Sequence, residues 1–408
     1  MARLVTVIQV VLVGLVVLFA GLLVHVYAGY LRCLRLLDRL AARRRAAAPG
    51  APPEPVTHAT TPLPHVTVLV GVHNEAHQII DRIANVLDQA YPADRLEVVI
   101  ASDGSTDGIE QLVELRFGGS TPRPVHVVHA AERAGKSAMQ NRAVATVTSN
   151  VVVFTDADTR FAPGFLTAIV APFVDDAVGA VQAELLFAGP AADGPPSTAG
   201  ASQGRYWQTE LEIRSREATL GVLAVSSGAC IAVRRELWVP LDPAIGEDCM
   251  IPLDVVMQGR KVAYAVDAVA HDCADEDLGE VVRTRARMTL RNWQGTWSRP
   301  ALLNPLRHPG YAFALWSHKV LRWLSPIWLL GLAVSSVALA ILGHHPLTAA
   351  PAVGVLVFAV AAAAGGLAER RRRRLPICSS LYAFVLANTG FFLGLVYALR
   401  GTRITSYR

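Results

Sequence analysis

The chain has 408 residues, of which 52% are hydrophobic and only 17% charged, with a formal net charge of +5. Soluble proteins carry about a quarter charged residues, so a fold bathed on all sides by water is excluded. The positive balance sits in arginine runs beside apolar stretches, and no basic stripe interleaved with aromatics accompanies it, which argues against a nucleic-acid partner.

Between Arg3 and Arg32 no side chain carries a formal charge, and residues 4–30 are dominated by Val, Leu and Gly. That length crosses a ~30 Å hydrocarbon layer as a helix. It is too long for a cleaved signal peptide and lacks a small-x-small cleavage site. Arg32, Arg35, Arg39, Arg43, Arg44 and Arg45 follow, which assigns this flank to the cytoplasm and the amino terminus to the outside. Residues 1–45 are thus expected to be a transmembrane helix with its basic flank. Residues 46–64, rich in Ala, Pro and Thr, read as a linker.

From Val66 the pattern alternates between strand and helix. Residues 66–71, 96–101, 125–129 and 151–155 read as strands, and 76–89, 107–115 and 136–146 as helices. Repeated βα units of this size predict an α/β domain with a mostly parallel sheet, here spanning 65–300. Such sheets bind ligands at the carboxyl ends of their strands, so the turns there are the candidate site.

The first turn carries His73, Asn74 and Glu75, the second Asp103, Gly104, Ser105, Thr106 and Asp107, and the third Arg133, Gly135, Lys136 and Ser137. Asn74 or Glu75 is also a fitting helix cap. His73, Glu75 and His77 lack His-Glu-x-x-His spacing, and Gly135-Lys136-Ser137 lacks the upstream glycine of a phosphate-binding loop, so Lys136 is kept only as a ligand contact. The fourth turn is the most pointed: the apolar run Val151 to Thr155 ends in Asp156-Ala157-Asp158. Residues i and i+2 of an extended chain point the same way, so both carboxylates can face one hard cation. One or two protein carboxylates leave coordination sites for phosphate oxygens, which suits Mg²⁺ or Mn²⁺ on a nucleoside diphosphate.

Further along, 178–185 reads as a strand, 189–204 as a Gly/Pro/Ala/Ser loop able to order over substrate, and 205–220 as a helix. A glycine turn at 226–230 leads into a strand. Glu247 and Asp248 open a helix, where acidic residues are favourable in any case. A basic, Trp-bearing helix follows from Asp277, with Arg283, Arg285, Arg287, Arg291, Trp293 and Trp297. Residues 301–323, with Trp316, His318, Lys319, Arg322 and Trp323, are expected to form an amphipathic segment at the membrane surface.

Residues 324–342 and 347–367 form a spanning hairpin, and Arg370 to Arg374 return its end to the cytoplasm. A third stretch, 375–399, completes a carboxyl-terminal membrane region of two or three helices. Its length favours a span. The basic tail carrying Arg400, Arg403 and Arg408 favours a re-entrant or interfacial segment. The five cysteines show no Cys-x-x-Cys spacing and are odd in number, which fits reduced thiols rather than a disulfide framework or a structural zinc site.

In sequence, His73-Asn74-Glu75-Ala76, Asp103-Gly104-Ser105-Thr106-Asp107, Gly135-Lys136 and Asp156-Ala157-Asp158 resemble the successive motifs of membrane-bound family 2 glycosyltransferases with the GT-A fold. Cellulose, hyaluronan and poly-N-acetylglucosamine synthases are processive members. The resemblance spans roughly residues 66–330. It implies that Asn74, Glu75 and Asp103 line the base and ribose pocket, that Lys136 lies near the nucleotide, and that Asp156 and Asp158 face the diphosphate and its metal, Asp158 foremost. It further implies that Asp248 is the general base and Glu247 supports it, and that Arg291 and Trp293 meet diphosphate and acceptor. Processive members have Gln-x-x-Arg-Trp there. This chain has Thr289-Leu290-Arg291-Asn292-Trp293, with neither the Gln nor the adjacency, which weakens the case for polymer synthesis.

The expected activity is inverting transfer of a sugar from a UDP-linked donor such as UDP-GlcNAc or UDP-Glc, to a polysaccharide or lipid-linked acceptor, at the cytoplasmic face of a multi-pass membrane protein with Mg²⁺ or Mn²⁺. An oligomer or a partner subunit is open, because three or four spans are few for a polymer channel. Two other readings use the same features: a catalytically silent membrane scaffold with this fold, and a membrane-anchored nucleotidyltransferase.

Overall fold

The structure, a computed structural model, describes residues 2–47, 62–119, 123–188, 198–273, 278–343, 345–371, 373 and 375–405. Most of the expected linker, residues 189–197 of the expected loop, and Arg372 and Arg374 of the arginine run lie outside the described residues.

The amino-terminal helix is longer than its apolar part. Ala2–Val24 (α1) passes through a π-helical turn at His25–Gly29 into Tyr30–Ala47 (α2), so the basic flank is helical too. Then follow Val66–Val72 (β1), Ala76–Leu87 (α3), Leu96–Asp103 (β2), Ile109–Phe117 (α4), Val125–Ala130 (β3), Lys136–Val144 (α5) and Val151–Asp156 (β4). Each expected strand of this half is present, extended by one or two residues at its carboxyl end. The second half contains Arg160–Phe161 (β5), Phe165–Val170 (α6), Val178–Ala188 (β6), Thr198–Thr219 (α7), Cys230–Arg234 (β7), Glu247–Met257 (α8), Lys261–Cys273 (β8) and Leu278–Ser298 (α9). Helix α7 begins at Thr198, so the second part of the expected loop is helical. Strands β5 and β8 have no counterpart in the sequence reading.

The eight strands form one sheet in the order β3-β2-β1-β4-β7-β6-β8-β5. Strands β3, β2, β1 and β4 are parallel, with Val66 opposite both Leu96 and Val151. Strand β7 is antiparallel to β4 and to β6, β8 runs parallel to β6, and β5 is antiparallel to β8. Successive side chains of a strand face opposite layers, and both faces are covered. Val66, Val68, Val70 and Val72 pack with Ile79, Ile83, Val86, Ile109 and Val113 of α3 and α4. Leu69, Val99, Val152 and Phe154 pack on the other side with Met139 and Ala143 of α5 and with Ile251 and Val255 of α8. Each fully buried Val or Ile here contributes roughly 1.5–3 kcal/mol, and double burial explains why β1 and β4 read as continuous apolar runs.

After α9 come Pro309–Ala314 (α10), a π-helical stretch Leu315–Val320, Leu321–Trp323 (α11), Ser325–Leu342 (α12), Ala350–Arg370 (α13) and Pro376–Leu399 (α14). Helix α12 lies antiparallel to α1: Gln9 Nε2 donates to Leu342 O at 2.6 Å, Phe19 stacks on Trp328, and the Tyr27 hydroxyl is 3.0 Å from Ser325 Oγ. Among the described residues four helical stretches are long and apolar enough to cross a membrane: Arg3–Arg44, Ser325–Leu342, Pro346–Arg370 and Pro376–Leu399.

Residues 308–323 depart from the expected surface amphipath. Their polar side chains turn inward: His318 is fully buried, and Lys319 and Arg322 are buried as well. Glu210 Oε1 takes Lys319 Nζ at 2.9 Å and His318 Nε2 at 3.0 Å, while Glu210 Oε2 takes Arg322 Nη1 at 2.7 Å. Glu217 Oε1 takes His318 Nδ1 and the Tyr30 hydroxyl, both at 2.7 Å. Desolvation pushes the Glu210 carboxyl up, but His318, Lys319 and Arg322 outweigh it and hold the group well below the usual carboxylate range. The cluster joins α2, α7 and the segment after α10, so the charges that suggested a wet helix face serve as an internal bolt. The side chains it joins are about a hundred residues apart, which no local periodicity can reveal.

Candidate active site

Three loops at the carboxyl ends of β1, β2 and β3 are tied into one surface. Asn74 takes φ +57°, the one positive value among the described non-glycine residues, and Asn tolerates that region better than most. Its backbone N–H donates to Ser105 Oγ at 3.2 Å, and its Oδ1 accepts from Thr106 N at 2.8 Å. Asp107 Oδ2 accepts from Ala76 N at 2.8 Å, so the second loop caps α3. Asp103 is nearly buried, and its Oδ1 accepts from Ala134 N at 2.6 Å and Gly135 N at 2.9 Å. Gly104 has φ +62°, and a Cβ there would lie 2.8 Å from Arg133 N, so only glycine fits this closure. Asn74 and Asp103 thus share one wall. Glu75 turns toward α3 instead: its carboxylate takes Gln78 Nε2 at 2.5 Å, and its backbone oxygen takes the N–H of Gln78 and Ile79. Glu75 stands at the position before α3, but its side chain caps no backbone N–H there; Asp107 does that.

Lys136, the first residue of α5, bridges the two acidic motifs. Its Nζ lies 2.5 Å from Asp156 Oδ1 and 2.7 Å from Glu247 Oε1. Glu247 is buried and packed so closely on Gly228 that a Cβ there would meet its Oε1 at 2.5 Å. Arg291 reaches in from α9, with Nη2 at 3.1 Å from Ser137 Oγ, and Ser137 in turn donates to Ile245 O at 2.7 Å. Asp248 is half-buried, and its backbone oxygen accepts from Ser226 N at 3.0 Å and Ser226 Oγ at 2.8 Å. The sequence candidates Lys136, Asp156, Glu247, Asp248 and Arg291, drawn from four separate elements, therefore meet.

Their charges set one another. Burial pushes Asp156 up, opposed by Lys136, and the net direction is upward. Burial and the adjacent Glu247 push Asp248 up, and Arg291 and Lys136 only partly offset them. Glu247 goes the other way: desolvation raises it, but Lys136 and Arg291 win and hold it below the usual range. Neighbouring carboxylates pushed in opposite directions is the pattern expected of a charged anchor beside a proton acceptor.

Sequence reasoning missed the support under Asp156-Ala157-Asp158. Arg82 of α3 is fully buried against the Phe161 ring, 4.1 Å from its centroid; its Nη2 donates to Thr155 Oγ1 at 2.8 Å and its Nε to Asp156 O at 3.2 Å. Asn85 accepts from Phe161 N at 2.8 Å and donates to Phe161 O at 2.9 Å. A signal existed: Arg82 falls on the Ile79, Ile83, Val86 stripe, where an unpaired arginine is costly. Trp293 sits in an aromatic cluster, with ring centroids 5.6 Å from Trp297 and 6.0 Å from Trp323, and Trp297 lies 6.4 Å from Trp316.

β4 ends at Asp156, so Asp158 lies in the bend beyond it and is exposed, while Asp156 already faces an ammonium. Two hard carboxylate oxygens at a strand end fit a divalent cation that also takes diphosphate oxygens and water. Among the described residues no group of three or more His, Cys, Asp or Glu could complete an all-protein metal cage.

A model described as "Glycosyltransferase like family 2" matches residues 64–290. An N-acetylglucosaminyltransferase of Rhizobium meliloti (strain 1021) is 26% identical over 296 residues, 69% of this chain and 68% of that protein. Another of that description, from Mesorhizobium japonicum, is 26% identical over 58% of this chain and 57% of its own length. A β-monoglucosyldiacylglycerol synthase of Nostoc sp. is 30% identical over 120 residues, 29% of this chain and 26% of that protein. A mannosyltransferase from Pyrobaculum calidifontis, solved with GDP-Man and Mn²⁺, shares the fold with TM-score 0.68 and 22% identity, over 96% of this chain and 99% of that one. With a GT-A sheet, strand-end motifs in order and a family model covering more than half its length, the chain belongs to glycosyltransferase family 2 and is a glycosyltransferase.

Proposed function

We propose that this enzyme moves a sugar, with inversion, from a nucleotide sugar to a lipid-linked or glycan acceptor at the cytoplasmic face of a membrane. The observation that carries the reading is the meeting of Asp156, Lys136, Glu247 and Asp248 in one cluster at the strand ends. Asn74 and Asp103 form the wall for the nucleoside. Asp158 and Asp156 would hold Mg²⁺ or Mn²⁺, which when bound supplies positive charge to the departing diphosphate. Lys136 keeps a second positive charge between the donor carboxylate and the acceptor side. The acceptor hydroxyl oxygen forms a bond to the anomeric carbon as the bond from that carbon to the diphosphate oxygen breaks. The hydroxyl proton passes to Asp248, whose raised affinity for a proton suits a base. One displacement inverts the anomeric centre.

The similarity to N-acetylglucosaminyltransferases favours a UDP-linked donor, UDP-GlcNAc or UDP-Glc. The shorter likeness to a glycolipid synthase favours a lipid acceptor. The arginine flanks support a cytoplasmic site. The test is nucleoside diphosphate release by detergent-purified protein over a panel of UDP- and GDP-sugars, with and without Mn²⁺ and lipid extract. Metal-dependent release from one UDP-sugar, stimulated by lipid, is expected. No release from any donor by folded protein would sink the reading.

A further inference from the structure

Helix α14 is packed onto the catalytic body rather than set apart from it. It runs beside α9 in the same direction: a Cβ on Gly390 would lie 2.9 Å from Arg285 Cβ, and one on Gly394 would lie 2.6 Å from Thr289 Cβ and 2.7 Å from Ala286 O. Eight residues on, Gln294 Nε2 of α9 donates to Thr402 O at 2.7 Å. The two glycine contacts fix one register between the helices, and the Gln294 bond then holds the tail that follows α14 against the end of α9.

There the Arg403 guanidinium pairs with both carboxylate oxygens of Asp242, at 2.5 Å to Oδ2. Asp242 opens the turn that launches α8. Its backbone oxygen accepts from Ile245 N at 2.9 Å, and its Oδ1 accepts from Ala244 N at 2.9 Å. The turn is held from the far side by Asn141, which accepts from Leu241 N and donates to Leu241 O, both at 2.8 Å, and by Ser137 on Ile245 O. The next three residues are Gly246, Glu247 and Asp248. Arg403 keeps 61% of its side-chain surface exposed and Asp242 38%, and ion pairs this open add little to stability. Their value lies in geometry: a reacting group displaced by about 1 Å can cost about a hundredfold in rate.

We propose that residues 400–405 form a carboxyl-terminal strap that sets the turn 242–246 and through it Asp248, with Arg403 as a positioning residue. Because Asp242 and Gln294 belong to the catalytic body, the strap lies on that side. With α12 and α13 crossing the membrane and returning, α14, one unbroken helix, then lies along α9 at the catalytic face instead of crossing the layer. The catalytic part of this proposal rests on Asp248 being the base; the docking part does not.

Two measurements on the full-length protein test it. Arg403→Gln is expected to lower kcat about tenfold with donor KM and melting temperature unchanged, and the swap Arg403→Asp with Asp242→Arg to restore most of the loss. In isolated membranes, Arg403→Cys with Asp242→Cys is expected to be joined by a bifunctional thiol reagent about 10 Å long, which spans the gap the Arg side chain fills, seen as a joined peptide by mass spectrometry. No link, with the thiol introduced at 403 reacting only from the face opposite the catalytic body, would overturn the strap. A link without any kcat loss in Arg403→Gln, or a kcat loss matched by a fall in melting temperature, would overturn its positioning role. Normal turnover in Asp248→Asn would overturn the base assignment while leaving the link result standing.

Discussion

Two buried ionic clusters among the described residues, each built from carboxylates and cations, differ in how completely their charges are matched. Around Glu210 and Glu217 the carboxylates are surrounded by His318, Lys319 and Arg322 and by the Tyr30 hydroxyl, and Glu210 is held far below the ordinary range. Around Lys136 the balance is left open: Asp156 and Asp248 are pushed up, Asp158 faces solvent, and Glu247 alone is lowered. A saturated cluster resists change and joins elements. An unsaturated one, short of positive charge, leaves room for a cation and a proton.

That contrast can be broken at its sharpest point first. Asp158→Ala should weaken Mn²⁺-dependent donor binding by more than about a hundredfold, beyond the effect usual for residues that merely support a metal ligand, read by calorimetric titration of nucleotide sugar with and without metal. The same titration on Glu210→Ala should show near-normal donor affinity. Its damage should appear as stability, a loss of about 3–5 kcal/mol for removing one partner of a buried pair, read as early thermal unfolding in detergent. Arg82→Met, which leaves the loop before Asp158 without its anchor, should lower Mn²⁺ affinity about tenfold by the same titration.

The smallest effect expected is one of pH. Asp248 acts as base only when ionised, and its proton affinity is raised, so kcat/KM should fall on the acid side at a higher pH than an ordinary aspartate would give. Arg291 opposes that rise. Arg291→Met should therefore move the acid limb to still higher pH, and a pH–rate profile showing no shift, or a shift downward, would count against this electrostatic account.

The same contrast explains what the sequence disclosed. The half from Val66 to Asp158 was legible because fully buried parallel strands leave continuous β-branched runs, and each run ends in polar loop residues with no other reason to cluster. Strand β8 was not. Its Ala-Tyr-Ala-Val-Asp-Ala stretch gives no clear apolar face, and its pairing with β6 lies some eighty residues away in the chain. The saturated cluster was misread for a related reason. His318, Lys319 and Arg322 look like a wet helix face until Glu210 and Glu217, about a hundred residues earlier, are brought against them. Glu75 is a motif residue whose carboxylate meets the Gln78 side chain of α3, a local pairing that the motif did not announce. Asp248 was singled out only through the resemblance, because acid at a helix start is favourable without any catalysis.

If the open cluster transfers a sugar through Asp248, single-turnover transfer by Asp248→Asn, measured beside its donor affinity, separates binding from chemistry. Donor binding with Mn²⁺ should stay within about threefold of the unaltered enzyme, while transfer should fall by about a hundredfold to ten-thousandfold, the usual worth of a positioned base. Transfer at a near-normal rate with donor bound would contradict the account and require another acceptor for the proton.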